Sequence, residues 1–179
     1  MVFDFNFSSL QDVRQLRQLI DFIHTYDLGY PNYHSWVERA EAELSSGYKN
    51  AIIASSNGKI AGNLIFQPHK EIPSMVEIKN FRVDHRVRGR NFATFMFRQL
   101  EIESAGRYHG LISDVRQEQR DMANLFYKVG FKPAFNLPLY DNHDTDIVVV
   151  KFIGQVDSSV IGSLNKRVEK SYLAKTSQN

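Results

Sequence analysis

Apolar and polar residues alternate through VFDFNF at the start of the chain, a spacing that predicts a strand with one buried face. Ser8 and Ser9, followed by Gln11 and Asp12, read as a helix start, and Val13, Leu16, Ile20 and Ile23 then fall on one helical face. Gly29 and Pro31 interrupt that period in GYPNYHSW, after which Trp36, Ala40 and Leu44 resume it in a second, charged helix. In NAIIASSNGKIAGNLIFQ two apolar runs flank Asn57-Gly58, a pair suited to the positive φ of a tight hairpin turn.

MVEIKNFRV predicts the next strand, with a change of parity inside it. Val76 and Ile78 are two apart, as are Phe81 and Val83, but Ile78 and Phe81 are three apart. Either one extra residue near Lys79 or Asn80 forms a β-bulge, or the strand is buried on both faces and parity carries no information. From Asn91 to about Gly106 the pattern is helical, GLISDV is a short strand, and QEQRDMANLFYKV is a helix ending at Gly130. FKPAFNLPLY and TDIVVVKFI close the order as two strands. The expected fold is mixed α/β, a largely antiparallel central sheet flanked by helices, over residues 1–153. Residues 154–179 form a tail in which Ser158 and Ser159 cap a short helix bearing Val160, Ile161, Leu164, Val168 and Tyr172. That helix either packs on its own domain or serves a partner.

A chain of 179 residues, 42% hydrophobic and 23% charged, is long enough for one soluble domain with a full core. A net charge of +2 falls short of a dedicated nucleic-acid binder and leaves room for an anionic ligand. The absence of cysteine excludes disulfides, thiolate metal sites and a cysteine nucleophile, and fits a reducing compartment. MVFDFNF lacks the basic region and apolar core of an export signal, and the longest apolar run, IVVV, is far below membrane-spanning length. The expectation is a cytoplasmic protein with no membrane partner. Six histidines are scattered with no pair at helical metal-ligand spacing, so no metal is expected.

One segment stands out chemically. In VRGRNFATFMF a strand ending near Asp84 gives way to a turn and then to a helix beginning near residue 91. Unpaired backbone N–H groups gather at such a helix start, Gly89 lets backbone approach a ligand, and Arg86, Arg88 and Arg90 supply charge suited to phosphate oxygens. The turn alone also fits a solvated basic loop with a glycine for turning. With its surroundings, FRVDHRVRGRNFA resembles the acyl-CoA-binding motif of the GNAT superfamily of N-acetyltransferases: a strand, then Arg-x-x-Gly-x-Gly or Ala, then a helix. ANLFYKVGF, at 123–131, resembles that superfamily's second motif, at the separation the family uses. Two positions depart from the pattern. Asn91 stands where the family has glycine, and Arg120 where it often has asparagine. Asparagine is the non-glycine residue that best tolerates positive φ, although its side chain takes space that glycine leaves open.

The resemblance implies acetyl-CoA as the acetyl donor and direct attack by an amine, without an acyl-enzyme. It places the donor against Phe81, Arg82, Val83, Arg88, Gly89, Arg90, Asn91, Phe92, Ala93, Arg120, Asn124 and Tyr127. An alkyl ammonium with a pKa of about 10.4 must lose a proton first, at a cost of roughly 4–5 kcal/mol at neutral pH, so a base is useful. Glu77 resembles the family's glutamate base; the alternative is a paired strand residue. A backbone amide near Phe81 is the candidate donor to the thioester oxygen as that oxygen gains charge. Tyr127 matches the family's tyrosine acid at the leaving sulfur. A phenol titrates near 10 and a thiol near about 8.5, which favours hydrogen bonding over full transfer. Tyr30, Tyr33 and Trp36, with His34, lie where the family shapes its acceptor side, with core packing as the alternative.

These features imply an N-acetyltransferase acting on an amine of a small molecule or a protein. A second reading is a catalytically weak CoA-binding module that regulates or assembles with a partner, motivated by Asn91, Arg120 and the tail. Nucleic-acid binding through Arg82, Arg86, Arg88, Arg90 and Arg98 is disfavoured, because no aromatic stacking groups are interleaved with that charge. Homodimers are common among such proteins.

Overall fold

A computed structural model describes residues 4–25, 32–139 and 145–176. Its strands are β1 (Phe5–Ser9), β2 (Asn50–Ser56), β3 (Lys59–Pro68), β4 (Met75–Val83), β5 (Gly110–Arg116), β6 (Lys132–Leu137) and β7 (Asp146–Phe152). Its helices are α1 (Val13–Thr25), α2 (Tyr33–Ser45), α3 (Phe92–Ser104), α4 (Arg120–Lys128) and α5 (Ser158–Thr176), with a 3₁₀ turn at His85–Val87. The seven strands follow the order β1-β2-β3-β4-β5-β7-β6. Pairs β1/β2, β2/β3, β5/β7 and β6/β7 are antiparallel, and β4/β5 is parallel. This is the mixed, largely antiparallel sheet that the pattern predicts. Among the described residues, no helix is long and apolar enough to cross a membrane.

The chain divides into two compact units, residues 1–67 with 79–100, and residues 68–78 with 101–179. In the first, Leu16, Leu19, Ile20 and Ile23 of α1 pack with Val37 and Leu44 of α2 against Ala51 and Ile65. The start of α1 is set by Asp12, not by the earlier serines. Its Oδ1 accepts from Gln15 N at 2.8 Å, while Gln15 Oε1 accepts from Gln11 N at 2.9 Å, so two otherwise orphaned donors are satisfied reciprocally. Asn57 and Gly58 hold φ of 51° and 73°, the left-handed pair the hairpin requires. Gly62 is a close-approach position: a Cβ there would lie 2.8 Å from the Arg82 carbonyl oxygen and 3.0 Å from Met96 Cε. Backbone and α3 can meet only because the side chain is missing.

In the second unit, α5 runs for 19 residues and is capped by Asp157, whose Oδ1 accepts from Ser159 N and Oγ at 2.8 and 2.7 Å. The tail helix is therefore longer than the short one expected, and its cap lies one residue earlier. Leu164, Val168 and Tyr172 join Ile72, Met75, Ile112, Leu139, Val148 and Val150 in one apolar cluster, so this helix packs on its own chain. Helix α4 starts at Arg120, three residues later than the pattern suggests, because Gln119 N turns back to the Arg116 carbonyl at 2.9 Å.

Candidate active site

Strand β4 is buried on both faces over its first four residues. Met75, Val76, Glu77 and Ile78 are all buried, so periodicity there is silent. Beyond Ile78, burial alternates against hydrophobicity: Asn80 and Arg82 are buried, whereas Lys79, Phe81 and Val83 are half-buried. Asn80 Oδ1 accepts from Asn63 Nδ2 at 2.8 Å. Arg82 donates to the Ile23 carbonyl at 3.1 Å and to the Tyr33 hydroxyl at 2.5 Å, with its guanidinium 5.3 Å from the Tyr33 ring centre. Phe81 packs on Phe97 of α3, ring centres 5.0 Å apart. The β4/β5 register is described from Met75 to Glu77, short of Lys79 and Asn80, and the register shifts in the described ladders are at Ala54/Ser55 and Pro133/Phe135.

The turn after β4 is organised by Asp84. Its nearly buried carboxylate accepts from Arg86 N at 2.9 Å, from Nε at 3.1 Å and from a terminal guanidinium nitrogen at 2.6 Å. The bonds from Arg86 hold the Asp84 carboxyl at about 2, below the ordinary 3.8 and against the opposing effect of burial. An aspartate just before a helical turn is a capping signal readable in the sequence, and here it consumes the charge of Arg86. Arg88 and Arg90, further along the same turn, are exposed. One Arg88 donor, Nε, closes the turn onto the Val83 carbonyl at 3.2 Å.

Gly89 has φ 76° and a Cβ there would meet nothing within 4 Å, so its backbone faces open space. Asn91 takes φ 61°, the left-handed conformation its substitution for glycine demands, and its carbonyl accepts from Phe95 N at 3.1 Å to begin α3. Phe92 locks that helix start against β1, with ring centres 4.9 Å from Phe5 and 5.3 Å from Phe7. Ala93 is half-buried in the same first turn. The N–H groups of this turn have no intrahelical acceptor, and a polyphosphate fits such a cradle.

Glu77 belongs to the second unit, 3% exposed, directly across from Ile112 in the parallel ladder that runs from Met75/Gly110. On α4, Arg120, Asn124 and Tyr127 lie at helical spacing on one exposed face, with Tyr127 38% exposed. The helix ends where Gly130, at φ 95°, lets Lys151 reach the Val129 carbonyl at 2.6 Å while also pairing with Glu101. A cation on the last carbonyls opposes the negative end of the helix dipole. Lys151 lies outside both sequence motifs, and the register of β7 brings it there.

The acetyltransferase (GNAT) family pattern matches residues 11–131, which takes in β4, the Asp84–Asn91 turn, α3 and all of α4. The chain belongs to the GNAT family of acetyltransferases. No significant match exists among curated proteins. Solved structures share the fold at low identity. The ribosomal-protein-S18-alanine N-acetyltransferase from Escherichia coli is 19% identical with a TM-score of 0.69, over 87% of this chain and 97% of that one. An aminoglycoside 6′-N-acetyltransferase complexed with coenzyme A is 18% identical with a TM-score of 0.68, over 85% and 99%. Arabidopsis thaliana NAA60 in complex with a bisubstrate analogue is 16% identical with a TM-score of 0.68, over 86% and 100%.

Within this GNAT chain the aromatic residues expected on the acceptor side separate. Tyr30 lies outside the described residues. Tyr33 is a core residue, 4% exposed, its hydroxyl donating to the Ile23 carbonyl at 2.9 Å and accepting from Arg82. Trp36 is half-buried with its ring stacked 6.0 Å from that of Tyr33. The five-arginine cluster also dissolves: Arg82 is buried and Arg86 is paired with Asp84, so no continuous basic stripe is built from it. Among the described residues, no group of three or more histidine, aspartate or glutamate side chains is placed to hold a metal.

Proposed function

We propose that this GNAT protein transfers an acetyl group from acetyl-CoA to a primary amine by direct attack. The observation that carries the reading is the turn from Asp84 to Phe92. It combines an accessible glycine backbone, a left-handed Asn91, two outward arginines and a helix N-terminus, a donor set matched to a pyrophosphate. Arg88, Gly89, Arg90, Asn91, Phe92 and Ala93 would hold that group. The backbone of Phe81 to Val83 would receive the pantetheine arm, and Arg120 and Asn124 would add contacts from α4. Bound acetyl-CoA supplies an activated acetyl group; the chain supplies orientation and proton management.

Glu77 is the proposed base, taking the proton of the attacking ammonium directly or through water. The Phe81 amide is the proposed donor to the acetyl oxygen as charge develops there. Tyr127 is the proposed hydrogen-bond donor to the leaving sulfur. Its position on α4 supports a separate role from Glu77. The cap of α4 is reached by Lys151, which lies on the opposite face of the second unit's strands from Glu77, so base and acid need not compete for one side. Trp36 remains a candidate for the acceptor side.

Calorimetric titration with acetyl-CoA and CoA, comparing wild type with an Arg88→Ala, Arg90→Ala double variant, tests the reading. Binding that weakens at least tenfold in the variant supports it. Equal binding by the two proteins refutes the assignment of the turn, and binding without thiol release in a panel of amines would favour the catalytically weak CoA-binding module.

A further inference from the structure

The GNAT resemblance sets Arg82 against the acetyl donor, yet its side chain leads elsewhere. Side chains alternate across β4: Phe81 packs on Phe97 of α3, whereas Arg82 is buried and its guanidinium reaches α1 and α2. One terminal nitrogen donates to the Ile23 carbonyl at 3.1 Å and the other to the Tyr33 hydroxyl at 2.5 Å. That hydroxyl in turn donates to the Ile23 carbonyl at 2.9 Å, so the three groups close a triangle.

Each corner has a physical reason. The Ile23 carbonyl is among the last four of α1, which lack a donor within the helix, and a cation there meets the negative end of the helix dipole. Tyr33 opens α2, so its hydroxyl brings the start of that helix to the end of α1. A guanidinium holds its donors in a rigid planar fork, so binding both oxygens fixes their spacing as well as their position. A second contact crosses the same junction at the surface. The rings of His24 and His34, which follow Ile23 and Tyr33, stack with centres 5.9 Å apart. Trp36, one helical turn after Tyr33, stacks on its ring with centres 6.0 Å apart and planes inclined by 20°. Contact therefore runs from Arg82 of β4 to Tyr33 and on to Trp36, all within the first compact unit.

We propose that Arg82 is a positioning residue for the acceptor side: through the Tyr33 hydroxyl and the Ile23 carbonyl it sets Trp36 relative to the strand whose backbone would carry the pantetheine arm. The inference rests on the reading of β4 and Trp36 given above. It moves the Arg82 side chain from the donor to recognition of the incoming amine, whose alkyl or cationic portion suits the face of an indole ring.

Trp36 is the single tryptophan of the chain, so its fluorescence reports the tie directly. Tyr33→Phe keeps the ring on which Trp36 stacks and removes the hydroxyl, while Arg82→Lys keeps the charge and loses the fork. In both variants of the full chain, acrylamide quenching of Trp36 is expected to rise about twofold as the junction loosens. Acetyl-CoA affinity by calorimetry is expected to be unchanged. Steady-state thiol release, with a primary alkylamine and with a short peptide bearing a free α-amine, supplies the kinetic readout. The amine KM is expected to rise about tenfold with the acetyl-CoA KM unaltered. A merely structural loss would lower kcat and leave both KM values alone, and a donor contact would raise the acetyl-CoA KM. Either pattern, or quenching in Tyr33→Phe equal to wild type, overturns the inference alone. Wild type that binds no acetyl-CoA, or releases no thiol with either amine, sinks the acetyltransferase reading and the inference with it.

Discussion

Asp84→Asn isolates the ion pair that organises the candidate anion-binding turn. The carboxylate side chain is 4% exposed and its pKa is lowered from 3.8 to about 2, chiefly by the side-chain bonds from Arg86. That difference corresponds to about 2 kcal/mol of folding stability at neutral pH. Arg86 is 73% exposed, so solvent screening reduces the expected loss to about 1 kcal/mol. The sign follows from the direction of the shift. A folded-state pKa below the unfolded one stabilises the protein above pH 3.8, and the contribution is lost as pH falls toward 2. Asparagine keeps an acceptor for Arg86 N and so preserves the 3₁₀ cap while removing the charge. Denaturant unfolding of both proteins at pH 7 and at pH 2.5 provides the assay. The variant is expected to be less stable by about 1 kcal/mol at pH 7, with the gap shrinking to about a third of that at pH 2.5. Equal stability at pH 7, or a gap of the same size at both pH values, would refute the assignment of the stabilisation to Asp84 ionisation.

Other perturbations probe different links. Gly62→Ala forces a methyl against the Arg82 carbonyl at 2.8 Å and is expected to destabilise the fold by about 2 kcal/mol, read by thermal unfolding; an unchanged midpoint would mean that β3 and β4 separate freely. Tyr127→Phe is expected to lower kcat about tenfold while leaving KM for acetyl-CoA unchanged, since a hydrogen bond to the leaving sulfur matters only during transfer. Unaltered turnover would remove Tyr127 from the reaction. Asn91→Gly relieves the φ of 61° and removes a side chain from the turn, so acetyl-CoA binding by calorimetry should equal or exceed that of wild type; weaker binding would show that the Asn91 side chain holds the ligand.

Sequence periodicity alone determined much of this protein, wherever the deciding interactions are local. The alternation in VFDFNF yields β1, the helical face from Val13 to Ile23 yields α1, and Asn57-Gly58 turns the β2/β3 hairpin because both residues tolerate positive φ. The same local property let Asn91 replace glycine at the start of α3, and the two motifs around it located the family. Tertiary structure decided what those elements present to one another. Hydrophobicity would bury Phe81 and expose Arg82, yet Arg82 is buried because Ile23 and Tyr33, 59 and 49 residues away, supply an oxygen each. Arg86 looks like a phosphate ligand until Asp84 is seen to hold its guanidinium, and Tyr33 looks like a pocket wall until its hydroxyl is seen inside the core. The tail helix was visible as an amphipathic stretch, but the face it covers depends on the pairing of β4 with β5 and of β5 with β7. A one-residue change of register would turn Met75 and Glu77 away from the face that α5 covers, and register is set by contacts between distant strands that no local pattern encodes.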